Sequence, residues 1–307
     1  MRLVGLPDIP VKTRPVVALM HNYDDPCEAL DDALDAVEIE DIVRGKYVVV
    51  KPNDTTGHKE AVTQPDTLRT VLQYLKSLNP SRLVVSAGSG GSHSDSVYAS
   101  TGLMYVIEDE EVEFRDHNKG PFTTVKLDYG PMKEVMVNTQ LLEHDTLISL
   151  AQHKVHDVAT VTLTMENIAM SFPAADFYGY SRLDNYGRTN NILDDLHGFI
   201  VGMIEKFPIS LGVIMGHPTM VGTGPLSGRT YETGFAIASK DCVACDTIGA
   251  ALLGFSPHAV QHIFQAARRG LGQYDKDCME IRGLPLPEAE KRFMQKAYGQ
   301  TLAFSEI

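Results

Sequence analysis

The chain has 307 residues, of which 43% are hydrophobic and 22% are charged, and its formal net charge is −13. This composition is typical of a folded globular protein, and an acidic chain without a basic stripe argues against nucleic acid as a partner. No apolar stretch approaches the roughly 20 residues that a membrane span needs. We therefore predict a cytoplasmic protein without a membrane partner. The four cysteines do not indicate a disulfide framework.

The N-terminal third alternates predicted strands with predicted helices. Strands are predicted over 15–20, 46–50 and 82–88, where apolar and β-branched residues form short runs. Helices are predicted over 26–37 and 63–78, where apolar residues recur at helical spacing. Such alternation is typical of βαβ units, in which successive strands are parallel.

The middle of the chain contains three short candidate strands, at 111–116, 123–128 and 133–138, which are predicted to form an antiparallel hairpin or meander. A strand follows at 145–151, and "ATVTLTMENIAM" at 159–170 is predicted to be helical. The later elements are a helix over 190–207, strands over 209–215 and 234–239, and helices over 241–254 and 258–270. The tail from about residue 275 is predicted to be peripheral.

This order of elements predicts an α/β fold built on a mainly parallel, doubly wound sheet. Helices are expected on both faces, with a small antiparallel addition near 111–138. We predict a single domain over 1–307. An alternative is two lobes, about 1–110 and 111–307, with a cleft between them.

Polar segments that follow predicted strands indicate a shared site. In open α/β sheets, ligands bind outside the carboxyl ends of the strands, so loops that follow different strands meet at one edge. We therefore predict a cleft at this edge. The segments are 51–58, 88–95, 152–157 and 216–225.

The first two segments offer groups that bind anions. Lys51 can place a positive charge against a carboxylate or phosphate, and Asn53 offers both a donor and an acceptor. Backbone N–H groups near Ser89, in the glycine-rich "GSGGSHSD" before a predicted helix, can also hold an anion. The alternative in each case is a surface turn. The glycine-rich stretch matches neither a Walker motif nor a dinucleotide fingerprint.

The third segment contains "HKVHD", with His153, Lys154 and His156. The histidines and the aspartate could bind zinc or another transition metal, or His156 and Lys154 could act in acid–base or anion-binding chemistry. A structural role is the third alternative. His156 is the preferred functional residue because strand side chains alternate, which places it on the face of Lys154 rather than that of His153. The neighbouring lysine favours a neutral imidazole.

A C-x-x-C pair and two aspartates lie at the start of a later predicted helix. Cys242 and Cys245 could form a redox pair or half of a metal site, but packing of the helix is the simpler interpretation. No second C-x-x-C exists, so we predict no iron–sulfur cluster. Asp241 can cap the helix, and Asp246 lies near its first turn. His197, on the preceding long helix, is interpreted as a partly buried histidine.

Several motifs in a fixed order resemble domain-of-unknown-function family 362, over about residues 46–272. They are "VVVKPN", "TQPDTLRTVLQYL", "LVVSAGSG", "HKVHDVATVTLTMEN", "LDDLHGFI", "GTGP" and "SKDCVACDTIGAALLGFSPHAVQHIFQAARRGLG". The family pattern implies candidate positions and no reaction. The implied positions are Lys51 with Asn53, Lys154 with His156, Glu166 with Asn167, His197, Gly222 with Gly224 and Pro225, and Asp241 with Asp246.

Two departures from the family pattern bear on function. Glu166 stands where relatives carry a lysine, which makes the implied site less cationic. Some relatives also carry a ferredoxin-like iron–sulfur segment, and this sequence shows none. An electron-transfer role is therefore not favoured for this member.

The leading hypothesis is an enzyme that acts on a small anionic metabolite, assisted in one version by a divalent metal. Lys154, His156 and Asp246 are the candidate catalytic residues. The candidate ligands of a metal are His156 and Asp241, and a homo-oligomer is compatible with the sequence. The alternative function is a non-catalytic accessory protein that binds a metabolite, metal or cofactor for a redox partner. The candidate ligand-binding residues are Lys51, Asn53, Ser89, Asn167, Gly222 and Gly224.

Overall fold

The computed structural model describes residues 14–180 and 192–299. Within these ranges the strands are β1 Val16–His21, β2 Tyr47–Pro52, β3 Arg82–Ala87, β4 Glu113–Asp116, β5 Phe122–Lys126, β6 Glu134–Asn138, β7 Thr146–His156, β8 Thr160–Thr162, β9 Leu211–Val221, β10 Arg229–Tyr231, β11 Phe235–Ser239 and β12 Glu280–Gly283. The predicted helix over 190–207 begins outside the described residues.

Helices connect these strands in the same ranges. They are α1 Pro26–Ala36, α2 Glu40–Val43, α3 Pro65–Ser77, α4 Ser94–Thr101, α5 Leu103–Asp109, α6 Thr164–Ala169, α7 Ala175–Tyr178, α8 Leu196–Lys206, α9 Cys242–Leu252, α10 Gln261–Arg268 and α11 Leu286–Tyr298. None of the described helices is long and apolar enough to cross a membrane.

One large sheet organises the fold. Its strands follow the order β12-β1-β11-β9-β7-β2-β3-β4, and β8 and β10 pair with β7 and β9. Along this path β11 is antiparallel to β1 and β9, whereas the other neighbours are parallel. A separate antiparallel sheet contains β5 and β6. The predicted fold class is confirmed.

Both faces of the large sheet are covered, because alternate residues of its strands enter different apolar layers. Val49 and Val84 pack in the layer that contains α6, α8, α9, α10 and α11. Val48, Val50 and Val85 pack in the layer that contains α1, α3, α4 and α5. A strand buried on both faces explains why "KYVVV" is a continuous apolar run rather than an alternating one. Strands from both sides of residue 110 share this sheet, and the division into two lobes stays a prediction.

Three local predictions differ from the structure. The stretch 111–116 supplies β4, which joins the large sheet beside β3, so only β5 and β6 form the antiparallel hairpin. Residues 160–162 form β8 instead of the start of a helix, because three β-branched residues pair with the end of β7. The tail is not peripheral, since β12 pairs with β1 and Phe293 of α11 is fully buried.

Candidate functional site

A buried ion pair joins the carboxyl ends of β2 and β3. Lys51 Nζ donates to Asp54 Oδ1 at 2.6 Å. Asp54 Oδ2 in turn accepts the backbone N–H of Gly88 at 2.9 Å and the Tyr98 hydroxyl at 3.2 Å. Burial raises the pKa of Tyr98, and the Asp54 charge raises it further. The additional donors offset the desolvation of Asp54, which is the condition for a buried ion pair to be tolerated.

A second set of hydrogen bonds connects β2, β7 and α6. Lys154 Nζ donates to Asn53 Oδ1 and to the carbonyl oxygen of Ala61, each at 2.8 Å. Asn53 Nδ2 donates to Asn167 Oδ1 at 3.2 Å, and Asn167 Nδ2 donates to the carbonyl oxygen of Lys51 at 3.1 Å. The lysine, the two asparagines and the Lys51 backbone therefore form one network.

Ser89 adjoins this network through Gly88. Its carbonyl oxygen accepts Asn118 Nδ2 at 3.0 Å, and its backbone N–H donates to Ser94 Oγ at 3.4 Å. The structure thus brings the predicted residues Lys51, Asn53, Ser89 and Lys154 to one edge of the sheet. All four are buried. The Ala61 carbonyl lies against Lys154 Nζ, so a ligand that approaches Nζ from that side has to displace this carbonyl.

Lys154 is fully buried, and its environment is short of charge compensation. Burial lowers the pKa of Lys154 to about 8, against the opposing effect of Glu166 and Asp54. An ammonium carries three N–H groups. Among the described residues, Nζ has only the two neutral acceptors on Asn53 and Ala61. The ammonium therefore has capacity for one more acceptor.

The imidazole of His156 is anchored through one nitrogen. Nδ1 accepts the backbone N–H groups of Val158 at 3.0 Å and Ala159 at 3.1 Å. In a neutral ring the proton must then reside on Nε2. Nε2 lies 3.7 Å from Glu166 Oε1, and the side chain of His156 is 14% exposed. His156 therefore presents an N–H to a polar site that Glu166 shares with Lys154.

His153 is held in the core by two hydrogen bonds. Its Nδ1 lies 3.0 Å from Thr219 Oγ1, and its Nε2 lies 2.8 Å from the carbonyl oxygen of Gly249. Burial lowers the pKa of His153 to about 4, so the ring is neutral. Both ring nitrogens have a structural partner, and the ring packs edge-on against Phe293.

His197 pairs with a second histidine, His262, which the sequence interpretation missed. His197 Nδ1 on α8 lies 3.0 Å from His262 Nδ1 on α10, with the rings stacked. Burial lowers the pKa of His262 to about 3, and the charges of His197 and His156 lower it further. Burial also lowers the pKa of His197. The signal available in the sequence was a histidine at a core position of an amphipathic helix, beside Ile263.

The two glycines of "GTGP" shape the loop that follows β9. A Cβ at Gly224 would lie 1.8 Å from the carbonyl oxygen of Val155, so only glycine allows this approach to β7. The carbonyl oxygen of Gly224 accepts the backbone N–H of Asp157 at 3.1 Å. Gly222 has a φ of +85°, which favours glycine. The structure therefore gives these residues a conformational role next to the His156 strand, and their role in binding stays a prediction.

Asp241 lies far from His156. It caps α9, since Oδ1 accepts the N–H of Ala244 and Oδ2 accepts that of Gln273, each at 2.9 Å. It follows Ser239, which is paired with the start of β9, whereas His156 ends β7 at the opposite edge of the sheet. The prediction that His156 and Asp241 bind the same metal ion needs correction. Because β11 is antiparallel to β9, Asp241 lies at the edge of the sheet opposite to His156.

Asp246 accepts three donors at the start of α6. Oδ1 accepts the backbone N–H of Thr164 at 2.8 Å and its hydroxyl at 2.5 Å, and Oδ2 accepts the N–H of Met165 at 3.0 Å. Burial raises the pKa of Asp246 to about 7. The side chain thus caps a helix that carries Glu166 and Asn167. Its predicted catalytic role stays a prediction, and the function proposed below rests on other residues.

We expect no iron–sulfur cluster in this chain. Cys242 and Cys245 are buried in α9, and burial raises the pKa of both thiols, whereas Cys27 lies on α1 and Cys278 lies next to β12. In residues 14–180 and 192–299, no group of three or more His, Cys, Asp or Glu side chains is arranged to hold a metal ion. The measurement is iron and acid-labile sulfide in anaerobically purified protein. Both elements in stoichiometric amounts would contradict this expectation.

His217 bridges two carboxylates, with Nε2 2.9 Å from Asp66 Oδ2 and Nδ1 2.5 Å from Glu232 Oε2. The hydrogen bond to Asp66 is the main cause that raises the pKa of His217 to about 9, and Glu232 adds to it. Because the pKa of His217 is higher in the folded state than the unfolded value of about 6.5, the protonated histidine stabilises the fold. This stabilisation is complete below about pH 6.5, and it disappears as the pH rises through the folded-state pKa.

His217→Gln is therefore expected to destabilise the chain most near neutral and mildly acidic pH, with little effect once the pH exceeds the folded pKa. The free energy of unfolding in urea, measured across this range for the parent and the variant, checks the expectation. An equal loss of stability at all pH values would show that the charged bridges contribute nothing.

The sequence belongs to a family without an assigned activity. Residues 48–251, more than half of the chain, match the family described as Domain of unknown function (DUF362), so the chain belongs to this family. The resemblance predicted from the motifs is confirmed. No curated protein matches the sequence significantly.

Two solved structures show limited structural similarity to this chain. One is a protein from Thermotoga maritima, with 12% identity and a TM-score of 0.43 over 81% of this chain and 58% of that chain. The other is the lactate racemase apoprotein from Thermoanaerobacterium thermosaccharolyticum, with 15% identity and a TM-score of 0.39 over 80% of this chain and 58% of that chain. The chain spans less than two thirds of the length of either neighbour.

Proposed function

We propose that this chain is a cytoplasmic enzyme that binds a small anionic metabolite and transfers a proton to it, with Lys154, His156 and Glu166 at the site. The observation that carries the proposal is a buried lysine with neutral acceptors close to the buried Glu166, which in turn lies 3.7 Å from the partly exposed His156. The acidic net charge of the chain supports a small molecule over a nucleic acid as the partner.

Lys154 is proposed to bind the anion. Its ammonium has two neutral acceptors and capacity for a third hydrogen bond, so a carboxylate or phosphate oxygen would supply the charge that the present acceptors lack. A hydrogen bond between two charged groups in a buried site is roughly twice as strong as one between neutral groups. Binding from the side of Ala61 would displace the Ala61 carbonyl, which now accepts a hydrogen bond from Nζ.

His156 is proposed to polarise the substrate as a neutral hydrogen-bond donor. Its Nδ1 accepts two backbone N–H groups, which places the proton of the neutral ring on Nε2, on the side of Glu166. This tautomer disfavours metal ligation at Nε2, because a metal ion would have to displace that proton while Nδ1 stays an acceptor. The arrangement therefore favours acid–base chemistry over metal assistance. Nε2–H would donate a hydrogen bond to a substrate oxygen and keep its proton, while the Glu166 carboxylate would take a proton from the substrate and return it.

The experiment is a screen of short hydroxy acids, oxo acids, dicarboxylates and phosphate esters by ligand-observed NMR, with turnover followed in D₂O by exchange of carbon-bound protons. Lys154→Met is expected to abolish binding of any hit. Lys126→Met, which changes an exposed lysine on β5, should bind like the parent. A hit that binds Lys154→Met as tightly as the parent would overturn the site.

The screen also separates the proposed enzyme from the alternative function. Proton exchange or product formation supports catalysis. Saturable binding that depends on Lys154 but produces no exchange and no product supports the accessory binding protein instead. Such a protein would use the same closed network to retain its ligand for a partner.

A further inference from the structure

A short helix carries two side chains of the candidate site. α6 has only 6 residues, Thr164–Ala169, and both Glu166 and Asn167 lie on it. Its N-cap residue, Leu163, makes no side-chain hydrogen bond to the first turn. The first N–H groups of a helix have no acceptor within the helix itself. In α6 they therefore depend on a group from another part of the chain.

Asp246 supplies that group from α9. Its side chain is fully buried. Oδ1 accepts the backbone N–H and the hydroxyl of Thr164, and Oδ2 accepts the backbone N–H of Met165. A carboxylate suits this end of a helix, where the partial charge is positive. The first turn of α6 is thus anchored by a tertiary contact across more than 80 positions of the sequence.

The large sheet holds the same turn through other contacts. Ser149 Oγ on β7 donates to the carbonyl oxygen of Thr164 at 2.9 Å and accepts Asn167 Nδ2 at 3.0 Å. On β9, a Cβ at Gly212 would lie 3.0 Å from Thr164 Cγ2, so glycine permits this close packing. The first turn is therefore fixed by the sheet at its carbonyl and by Asp246 at its N–H groups.

The Glu166 carboxylate depends on this backbone for its position. Oε1 lies 3.7 Å from His156 Nε2. In the part of the chain that the structure describes, no group lies within hydrogen-bond distance of either carboxylate oxygen of Glu166. A general base must lie within hydrogen-bond reach of the proton that it takes, and a misplacement of about 1 Å can reduce the rate by about 10²-fold. The placement of α6 therefore decides whether Glu166 can act.

We infer that Asp246 is a positioning residue, which holds the first turn of α6 so that Glu166 faces His156. It acts through α6 and does not contact the substrate. This role differs from the catalytic role predicted from the sequence, in which Asp246 itself takes part in the chemistry. Its effect on turnover rests on the function proposed above, whereas its effect on the structure of α6 does not.

The experiment compares crystal structures and activities of the full-length parent, Asp246→Ala and Asp246→Asn. In Asp246→Ala, Glu166 Oε1 is expected to move from His156 Nε2 by about 1 Å or more. Exchange of carbon-bound protons in a metabolite found by the D₂O screen should slow by about 10²-fold below the unfolding midpoint, with its dissociation constant changed less than about twofold. Asp246→Asn should lose less, because the amide oxygen can still accept from Thr164.

Asp25→Ala is the matched control. Asp25 Oδ1 also accepts two backbone N–H groups at a helix start, those of Cys27 and Glu28, but α1 packs on the other face of the sheet. Its replacement should leave Glu166 in place and the exchange rate unchanged.

Two results would overturn the positioning role. One is a folded Asp246→Ala in which Glu166 keeps its place or the metabolite exchanges at the parent's rate. The other is a loss of metabolite binding as large as the loss of exchange, which would place Asp246 in contact with the substrate. Should Asp246→Ala fail to fold, Asp246→Asn decides by the same criteria. If the screen yields no metabolite, the proposed function fails, and the crystal structures alone decide whether Asp246 positions Glu166.

Discussion

Replacing Asp246 by alanine is expected to lower the free energy of unfolding by about 3 to 5 kcal/mol, one of the largest losses available to a single substitution here. Alanine leaves two backbone N–H groups and the Thr164 hydroxyl buried without their acceptor. Each unsatisfied buried donor costs about 1 to 3 kcal/mol. For a chain of this size, the midpoint of thermal unfolding should fall by roughly 10 °C.

Thermal and urea unfolding of Asp246→Ala measure this effect, with Asp128→Ala as a control. Asp128 is exposed, and its replacement should change stability by less than about 0.5 kcal/mol. Thr164→Val removes only the hydroxyl and should cost about 1 kcal/mol. If Asp246→Ala unfolds like the parent but loses all ligand binding, the carboxyl belongs to the chemistry and not to the helix cap.

The pH dependence of the same site has a defined sign. Burial raises the pKa of Asp246 to about 7, against an unfolded value of about 4. Between these values the folded chain retains a proton that the unfolded chain has released, so this group's contribution to the free energy of unfolding falls as the pH rises. Asparagine does not titrate. The stability deficit of Asp246→Asn relative to the parent is therefore expected to shrink over this range, and a constant deficit would contradict the raised pKa.

The sequence was sufficient for the fold class because the relevant signals are local. Val48–Val50 and Leu83–Val85 are continuous apolar runs, which is typical of strands covered on both faces. The strands that could not be predicted from the sequence depend on pairing with strands that are distant along the chain. Only the position of β3 decides that β4 extends the large sheet, and only β1 makes a strand of Glu280–Gly283 in a tail that is otherwise polar.

Part of the candidate site could also be anticipated. Lys51, Asn53 and Lys154 follow or end parallel strands, and the carboxyl ends of such strands meet at one edge. Asp241 shows the limit of this reasoning, because it follows a strand that runs in the opposite direction. His262 shows a second limit of reasoning from the sequence, since its hydrogen bond to His197 joins two helices that are separate in sequence.

Separate substitutions of the two histidines in "HKVHD" are expected to have opposite effects. His153→Gln should destabilise the chain by about 2 to 3 kcal/mol, because it disrupts two buried hydrogen bonds and edge-on packing against Phe293. His156→Gln should leave stability close to that of the parent. The side chain is partly exposed, and the glutamine amide oxygen can accept one of the backbone N–H groups that Nδ1 accepts now.

The effects on function are expected to be reversed. His156→Gln removes the Nε2–H that donates to the substrate, and loss of one such hydrogen bond to developing negative charge typically reduces turnover by about 10² to 10³-fold. His153→Gln should retain turnover at a temperature well below its reduced unfolding midpoint, because neither ring nitrogen of His153 is available to a ligand. The measurements are thermal melting of both variants and turnover of a metabolite identified in the D₂O screen.

The two histidine variants therefore test which histidine is functional and also which ring nitrogen of His156 carries the proton. Nδ1 of His156 is occupied by the N–H groups of Val158 and Ala159, so the reaction must use Nε2, the atom that faces Glu166. Glu166→Gln should then abolish the exchange of carbon-bound protons, because it removes the carboxylate that takes the proton from the substrate. If His153→Gln loses turnover while fully folded and His156→Gln does not, the functional histidine is His153. If both variants keep full turnover, proton transfer does not occur at the end of β7.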